Sequence, residues 1–379
     1  MPDLCGAFLH DIDLALELLK RGHQVVFLTI MKPPEGVNGG YWQGFRYLHF
    51  SAGLSYLDTS DIWLTPHSPI LPDVRRLNFR GHGRPIVATC HFDGTYTAIS
   101  RNSPLRGEWN EMLCFINHVM EANYRKYITP WPSQITRTET ILPLIHKEKV
   151  LFDNDGSGDC ITLVNANINK GVQHFVAMAK AMPNHKFLGV LPYYGEDRVP
   201  PTPGNVEWVP FQDDIRTVLK RTRILLVPSY YESFGRVAIE AMVNGIPVVY
   251  SKPISTSTYI GGSTEGLDEW IRPAGIAVER EVIEDWVTAL KHLDDPQVYS
   301  AKATESRQHV EAMNIFNEKT RIAELIEGFS RQNPVVKKSS MAIEEPKQSE
   351  GVVQQRVVAP LREPAGRFGL ANGRLRIQR

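Results

Sequence analysis

Short apolar runs alternate with helical patterns along most of the chain, and this alternation constrains the fold more than any other feature. In the second half, strands are predicted for CITLVNA, HKFLGVL, NVEWVPF, RILLVPS and IPVVYS. The segments VQHFVAMAKAM and DIRTVLKRT have the pattern of helices, with Pro183 stopping the first and Asp213 or Asp214 capping the second. Strands that alternate with helices of ~10–15 residues predict a parallel, doubly wound sheet and therefore an α/β fold.

The first half shows the same alternation less regularly. A helix is predicted for DIDLALELLKRG, ending at Gly22, and strands are predicted for QVVFLTI, FRYLHF, DIWLTP and PIVATC. The continuously apolar run QVVFLTI is expected to be covered on both faces. A long helix is predicted from about Arg106 to Tyr124. Two such sheets in tandem predict a cleft between the carboxyl ends of their strands, where ligands of open α/β sheets bind.

Length and composition divide the chain into three parts. At about 150 residues per domain, the 379 residues predict two Rossmann-like domains, which we place at residues 1–150 and 151–330. After Ser330 the alternation stops, and residues 331–379 are predicted to be a disordered tail because they are polar and poor in aromatic residues. From Gly351 onward this tail has six arginines and one acid, Glu363, so it either suits an anionic partner or simply stays solvated.

The composition argues against several classes of protein. Forty-two basic residues balance 42 acidic residues, so the net charge does not predict a polyanionic partner. The four cysteines form no Cys-x-x-Cys pair, which argues against a structural zinc site and a disulfide framework. No apolar run approaches the ~18 residues of a membrane span, and the acidic first residues are unlike a secretory signal. We therefore expect a cytoplasmic protein.

The segment VPSYYESFGRVAIEAMVNGIPVVYS, from Val227 to Ser251, carries the main functional signal. It places Glu232 and Glu240 around a Ser-Phe-Gly corner, and Glu240 falls in a stretch that is apolar on almost every side. Burying an unpaired polar group costs roughly 2–7 kcal/mol. Glu240 therefore needs a partner, either within the protein or on a ligand.

The corner is predicted to be a strand end, a turn and a helix start, with Ser233 as N-cap and the next three residues as the first helical residues. Free backbone N–H groups and the helix dipole at such a corner favour a phosphate, which Gly235 would let approach closely. Glu240 and Glu232 would then accept hydrogen bonds from sugar hydroxyls on either side. Two alternatives need no ligand: Arg236 can pair with Glu240 for ~0.2–0.5 kcal/mol, and Glu232 can be an exposed loop acid.

These motifs resemble those of the retaining glycosyltransferases of the GT-B fold, in particular the GT4 family. The shared features are two glutamates separated by seven residues around a Phe-Gly helix start, followed by GIPVV. NINKGVQHFVAMAKAMPNHKFLGVL is similar to the family's Lys-Gly segment, and NVEWVPF followed by ILLVPSYYESFG has the expected order. The resemblance is clear from about Ile161 to Tyr250, whereas in the first half only LLKRGHQVVFL and PIVATCHFDG match in outline. It implies two Rossmann-like domains that face each other across a cleft.

The resemblance also implies roles for residues of the second half. Glu240 looks like the carboxylate that holds the ribose hydroxyls of a nucleotide, and Glu232 looks like the one that holds hydroxyls of the donor sugar. Backbone groups of Phe234 to Val237 are expected near the diphosphate and the sugar. Lys170, unless it is an ordinary surface lysine, would neutralise the diphosphate and stabilise the leaving nucleotide. Because this role can replace a metal ion, neither a metal nor another cofactor is expected.

Two further residues resemble family positions, and two features depart from the family pattern. Phe211, in the turn after NVEWVPF, would contact the base, and His91 would lie near the donor sugar unless it is a structural histidine. The family has an arginine five residues before the lysine, where this chain has Asn165, so one diphosphate-binding charge is missing. The chain also starts at MPDLCGAFL, so the first strand of the sheet is expected to be missing, which would leave exposed edges. Either the coding region begins upstream or another segment, such as QQRVVAPL, fills the place.

The sequence therefore predicts an enzyme that moves a sugar from a nucleoside-diphosphate sugar to a hydroxyl of an unidentified acceptor, with retention of anomeric configuration. The alternatives are an epimerase or phosphorylase of the same fold, and a non-catalytic protein that binds nucleotide sugars. The candidate catalytic residues are Glu232 and His91. The candidate donor-binding residues are Lys170, Glu240, Phe234, Gly235, Arg236, Val237, Asn165 and Phe211.

Overall fold

The computed structural model describes residues 6–29, 41–42, 44–66, 71–78, 82–91, 109–127, 135–192, 200–252, 265–335, 369–371 and 374–376. Helices alternate with strands in both halves, and each half contains a parallel sheet, which confirms the predicted α/β class. Within these ranges, no helix combines the length and the apolar character needed to span a membrane.

The first half contains two sheets. Its strands are β1 (Val26–Thr29), β2 (Tyr41–Trp42), β3 (Phe45–His49), β4 (Trp63–Pro66), β5 (Ile86–Cys90), β6 (Glu111–Phe115) and β7 (Ile135–Thr140). Its helices are α1 (Gly6–Lys20), α2 (Leu54–Thr59), α3 (Leu71–Leu77), α4 (His118–Tyr127) and α5 (Lys147–Val150). The order of the first sheet is β1-β3-β2, with β2 antiparallel, and the second is a parallel sheet in the order β4-β5-β6-β7.

The predicted strands of the first half are confirmed as β1, β3, β4 and β5, but two other predictions are wrong. The helix expected from Arg106 to Tyr124 is replaced by the buried strand β6 and by α4, which begins at His118. A short apolar run such as EMLCF fits a buried strand and a helix equally well, so the pattern could not separate them. In addition, the four residues of β1 are only partly buried, so this strand is not covered on both faces.

Within the described residues, no strand pairing joins the two sheets of the first half. Among the described residues, β1 pairs only with β3, and β4 pairs only with β5. Residues 1–5 and the tail segment QQRVVAPL lie outside the described ranges, so the expected missing strand stays a prediction.

The second half forms one six-stranded parallel sheet in the order β10-β9-β8-β11-β12-β13. Its strands are β8 (Cys160–Val164), β9 (Lys186–Val190), β10 (Val206–Val209), β11 (Thr222–Val227), β12 (Val248–Ser251) and β13 (Ile276–Val278). Its helices are α6 (Val172–Ala181), α7 (Ile215–Leu219), α8 (Arg236–Met242), α9 (Glu265–Ile271), α10 (Ile283–His292), α11 (Pro296–Ala312) and α12 (Glu318–Gln332). All five predicted strands are confirmed, and Asp214 caps α7 by accepting a hydrogen bond from the backbone N–H of Arg216 at 3.0 Å.

The chain crosses between the halves at two places that touch. The first crossing, residues 141–150, leads from β7 into the second half. The second is the start of α12, which follows the second half in sequence but packs on the first half. The two crossings are joined because the Leu142 N–H donates to Glu318 Oε1 at 2.9 Å. Helix α12 then packs on α1, where Arg21 Nη1 donates to Glu327 Oε1 at 3.2 Å. The first and last helices of the folded body therefore lie side by side.

Part of the predicted tail has regular structure. Helix α12 extends to Gln332, beyond Ser330, and residues 336–368 lie outside the described ranges. Strand β14 (Gly369–Ala371) pairs antiparallel with β15 (Arg374–Arg376), and the predicted disorder of the tail stays a prediction.

Candidate functional site

The strand order of the six-stranded sheet in the second half reverses between its two central strands, β8 and β11. From β8 the chain continues to β9 and β10 on one side, whereas β11, β12 and β13 lie on the other. Such a reversal opens a crevice at the carboxyl ends of the strands, where open α/β sheets bind ligands. The loop after β8 contains the Lys-Gly motif, and the loop after β11 contains the first glutamate of the glutamate motif. The fold therefore brings both motifs to one crevice.

A glycine allows these two loops to touch. Gly171 has φ of 81°, and a Cβ added to it would lie 2.2 Å from the carbonyl oxygen of Pro228. The backbone N–H of Tyr230 also donates to the carbonyl of Asn169 at 2.9 Å. Both the backbone angle and the close approach exclude a side chain at Gly171. The glycine of the Lys-Gly motif is therefore required for the two loops to pack against each other.

The contact between the loops places Lys170 against Glu232. Lys170 Nζ and Glu232 Oε2 form an ion pair, and Ser229 Oγ donates to the same oxygen at 3.4 Å. Only 28% of the Lys170 side chain and 13% of the Glu232 side chain are exposed. The interpretation of Glu232 as an exposed loop acid is therefore wrong. Two residues predicted from separate motifs lie in contact at the mouth of the crevice.

The helix that follows the corner begins later than predicted. Its N-cap is Gly235, with φ of 79° and no side-chain cap, so α8 starts at Arg236. The left-handed backbone of Gly235 breaks the helical path, and Phe234 and Gly235 therefore precede the helix. Ser233 is not the N-cap; its carbonyl accepts a hydrogen bond from Asn117 Nδ2 of the first half at 2.8 Å.

Glu240 is buried, with 7% of the residue exposed, and its partner is Arg236. Arg236 Nε donates to Glu240 Oε1 at 2.8 Å, which confirms the pairing that the spacing of four residues allowed. Burial raises the pKa of Glu240, and the charge and hydrogen bond of Arg236 oppose that rise. The predicted contact with ribose stays a prediction.

Asp13 completes this buried group of charges from the first half. It lies on α1 with 1% exposure, and its Oδ2 is 3.5 Å from Arg236 Nη2. On its other oxygen, Asp13 accepts from Lys149 Nζ at 2.9 Å and lies 3.3 Å from His146 Nε2. Arg236 therefore lies between two buried carboxylates, Asp13 on the first half and Glu240 on the second.

Asp13 belongs to none of the predicted motifs, although the sequence contained a signal for it. His10, Asp13 and Glu17 follow one another at spacings of three and four residues, which places them on one face of a helix. All three are buried in the structure. A polar row at helical spacing inside an otherwise apolar helix indicates buried partners, but the sequence does not say which residues those partners are.

His91 lies at the carboxyl end of β5 and packs against His10, with 5.1 Å between the ring centroids. Burial lowers the pKa of His91 to about 4. The imidazole is therefore neutral near pH 7 and not a cation.

One group of side chains has the composition of a metal site. Ligand atoms of His10, Asp11 and His91 lie within 4.8 Å of one another. However, the backbone N–H of Leu144 donates to Nδ1 of His10 at 3.2 Å. This bond fixes the His10 proton on Nε2 and leaves neither ring nitrogen with a lone pair for a cation. The hydrogen bonding of His10 therefore does not fit a metal ligand.

The remaining predicted residues lie around the crevice. Asn165, at the position of the expected arginine, has φ of 63°, and its Oδ1 accepts from Asn167 Nδ2 at 3.1 Å. Asn167 in turn accepts from the backbone N–H of Lys170 at 3.0 Å, so this asparagine loop positions the lysine. Phe211 follows β10 and Val237 lies in the first turn of α8, both half-buried. Their contacts with a donor stay predictions.

Comparison with known proteins gives a family for part of the chain. Residues 202–298 match the family described as glycosyl transferases group 1. D-inositol 3-phosphate glycosyltransferase of Corynebacterium kroppenstedtii is 30% identical over 126 residues, which cover 33% of this chain and 26% of that protein. The enzyme of the same name from Rhodococcus opacus is 36% identical over 102 residues, covering 26% of this chain and 20% of that protein. The chain thus spans about a quarter of the length of these curated relatives.

Solved structures match over much more of the chain. Anabaena HepE in complex with UDP-glucose has a TM-score of 0.66 and 15% identity, covering 86% of this chain and 97% of that one. Sucrose-phosphate synthase from Thermosynechococcus elongatus has a TM-score of 0.64 and 17% identity, covering 86% and 92%. The chain has the GT-B fold, and its residues 202–298 match the family of glycosyl transferases group 1.

Proposed function

We propose that the chain transfers a sugar from a nucleoside-diphosphate sugar to an acceptor hydroxyl, with retention of anomeric configuration. The observation that carries the proposal is the contact of Lys170 with Glu232 at the crevice, next to the helix that holds Glu240. The group 1 glycosyltransferase segment supports the class of reaction. The solved neighbour named with UDP-glucose supports the class of donor.

The charges of the site match the groups of such a donor. In the structure each motif glutamate contacts a cation, Glu232 through Lys170 and Glu240 through Arg236. A nucleoside-diphosphate sugar brings hydroxyls, which suit carboxylates, and a diphosphate, which suits a cation. We infer that Lys170 exchanges Glu232 for the diphosphate, while Glu232 accepts hydrogen bonds from the sugar. Glu240 keeps Arg236 on Oε1 and accepts from the ribose hydroxyls with its other oxygen.

Lys170 would also contribute to the reaction itself. As the glycosidic bond breaks, negative charge develops on the diphosphate oxygen, and a cation already in place stabilises it. This stabilisation of the leaving group supports a reaction that needs no metal ion. In this proposal, neutral His91 and the Glu232 carboxylate would position the sugar through hydrogen bonds.

A donor screen tests the proposal directly. Purified protein is heated with UDP-glucose, GDP-mannose, ADP-glucose and the corresponding diphosphates. A bound donor at about 100 times its Kd stabilises the folded state by ~2.7 kcal/mol, which raises the melting temperature measurably. Lys170→Ala should remove the shift, and Lys180→Ala, an exposed lysine on α6, serves as the matched control. Failure of every donor and diphosphate to stabilise the protein would contradict the proposal.

The stereochemistry needs a separate measurement. With the donor identified, slow hydrolysis in the absence of acceptor releases a sugar whose anomeric proton is resolved by NMR before mutarotation. We expect the released sugar to have the anomeric configuration of the donor. The opposite anomer would refute retention while leaving the transfer of a sugar intact.

A second candidate function is a protein that binds nucleotide sugars without transferring them. One observation favours it: Asn165 stands where the family has an arginine, so the crevice has one cation fewer for the diphosphate. The donor screen separates the two candidates. A binder shows the thermal shift without hydrolysis, whereas an enzyme shows both.

A further inference from the structure

A chain of buried charges joins the two halves through the ribose side of the crevice. Arg236 Nε donates to Glu240 at 2.8 Å, and Arg236 Nη2 is 3.5 Å from Asp13 on α1. The exposed fractions are 1% for the Asp13 side chain, 15% for Arg236 and 9% for Glu240. In such surroundings, electrostatic interactions are weakly screened by water. The charge of each of these three side chains therefore acts strongly on its neighbour.

Glu240 is held by opposing influences. Burial favours its neutral form, Arg236 favours its charged form, and the negative charge of Asp13 again favours the neutral form. Asp13 does not depend on Arg236 alone, because Lys149 Nζ and His146 Nε2 contact its other oxygen.

The backbone around Glu240 is fixed independently of these charges. Asn244, just beyond the end of α8, donates from Nδ2 to the carbonyl of Glu240 at 2.8 Å. Removal of the Arg236 charge therefore leaves the main chain at Glu240 held and changes chiefly the surroundings of its carboxylate.

We propose that Arg236 is a positioning residue that keeps the Glu240 carboxylate charged and aimed at the ribose, and that Asp13 holds Arg236 from the first half while opposing the charge on Glu240, so that nucleotide recognition depends on a contact between the two halves. The proposal rests on the proposed function for the role of the ribose. Its physical basis is that an ionised carboxylate only accepts hydrogen bonds, whereas a protonated one must also donate. A nucleotide whose ribose offers two hydroxyl donors therefore binds best when Glu240 is ionised.

Removal of the Arg236 charge and removal of the Asp13 charge should shift the protonation of Glu240 in opposite directions. Arg236→Met removes the cation and its hydrogen bond, so protonation of Glu240 should move to higher pH. Asp13→Asn removes the opposing negative charge, so protonation should move to lower pH. Arg236→Lys keeps the charge but loses the Nε hydrogen bond, and its shift should lie between those of the parent and Arg236→Met.

The experiment follows Glu240 directly, in the full chain and without ligand. Protein labelled with 13C at the glutamate carboxyl carbons is titrated by NMR, and the Glu240 resonance is assigned by its absence in Glu240→Gln. UDP affinity is measured by calorimetry over the same range of pH. Arg125→Met is the matched control, because Arg125 pairs with Glu121 four residues away on an exposed helix surface.

The titration midpoint and the affinity for UDP give separate outcomes. We expect Arg236→Met to raise the midpoint and to bind UDP at least tenfold more weakly at pH 7, with the loss recovered at higher pH. Asp13→Asn should lower the midpoint, and Arg125→Met should leave it unchanged. Midpoints that stay at the parent value in both Arg236→Met and Asp13→Asn would overturn the inference, even if both variants bind UDP weakly at every pH. A parent protein that binds no nucleotide but shows the two opposite shifts would instead refute the proposed function.

Discussion

In the proposed binding mode the two motif glutamates contact different parts of the donor, so their substitutions should separate two measurements. Glu240→Gln should weaken binding of UDP and of the UDP-sugar alike, because both carry the ribose. Hydrogen bonds to a charged acceptor are worth about 1.5–3 kcal/mol, so the loss should be roughly ten- to a hundredfold in Kd. Glu232→Gln should leave UDP affinity nearly unchanged and lower turnover, because its contact is with the transferred sugar.

The control for this pair is Glu207→Gln, since Glu207 is an exposed glutamate of β10 that pairs with Arg221 outside the crevice. It should change neither UDP affinity nor turnover. If Glu240→Gln and Glu232→Gln both bind UDP and turn over the donor like the parent, the assignment of the site is wrong.

Gly171 offers a second test at the scale of one residue. Gly171→Ala combines a left-handed backbone, with φ of 81°, and a Cβ placed 2.2 Å from the Pro228 carbonyl oxygen. The backbone strain alone costs roughly 1–2 kcal/mol, and the clash adds to it. We expect a larger fall in the free energy of unfolding, measured with urea, than for Gly156→Ala. Gly156 has a similar φ of 74° but open space at its Cβ, so equal losses would show that the clash is relieved without cost.

Asp11 makes stability depend on pH in a direction unusual for an acid. Burial raises the pKa of Asp11 from 3.8 to about 7, so the folded state keeps a proton that the unfolded state releases between these values. The stabilisation is fully present below 3.8 and is lost as pH rises through about 7. Asp11→Asn cannot lose a proton, so its stability relative to the parent should improve from pH 4 to pH 8 in urea unfolding.

The control variant for the Asp11→Asn experiment is Asp155→Asn. Hydrogen bonds from Ser157 lower the pKa of the exposed Asp155, so this variant should show no such improvement with rising pH. A flat difference between Asp11→Asn and the parent would show that Asp11 is not protonated in the folded state at neutral pH.

At the scale of elements, the sequence predicted a strand or a helix correctly where its pattern clearly favoured one of the two. Five of the six strands of the second half lie in apolar runs bounded by helix signals and were predicted correctly, whereas β13 (Ile276–Val278) was not predicted. The run EMLCF gave no such distinction, and a helix was predicted where β6 lies. At the corner, Ser233 was a better N-cap by residue type, but Gly235 adopts the left-handed conformation and sets the helix start.

Contacts between elements were less predictable than the elements. The proximity of Lys170 and Glu232 follows from the strand order, which the resemblance implied. The contact of Asp13 with Arg236 joins helices from different halves, and no spacing within either helix indicates it. Sequence patterns report which face of a helix is buried, whereas the partner of that face depends on how the halves pack.

At the scale of the whole molecule, the tail and the last helix should differ in importance. Deletion of residues 336–379 should leave the melting temperature and UDP affinity unchanged, because that stretch lacks the apolar periodicity of a core element. Deletion from Glu318 should destabilise the protein strongly, because α12 buries Ile322, Ile326 and Phe329. A large fall in melting temperature for the shorter deletion would show that the tail packs on the body.

The two touching crossings between the halves also constrain how the molecule can move. The two connections meet at one place, where they are joined through Leu142 and Glu318. We expect such a paired connection to act as a hinge, which lets the two halves rotate about one axis and resists their sliding or twisting. Opening about that axis would separate Asn117 from Ser233 and Asp13 from Arg236, which both bridge the halves. We therefore expect the distance between two spin labels placed across the crevice to change when UDP binds. The distance between two labels placed beside the crossings should stay the same.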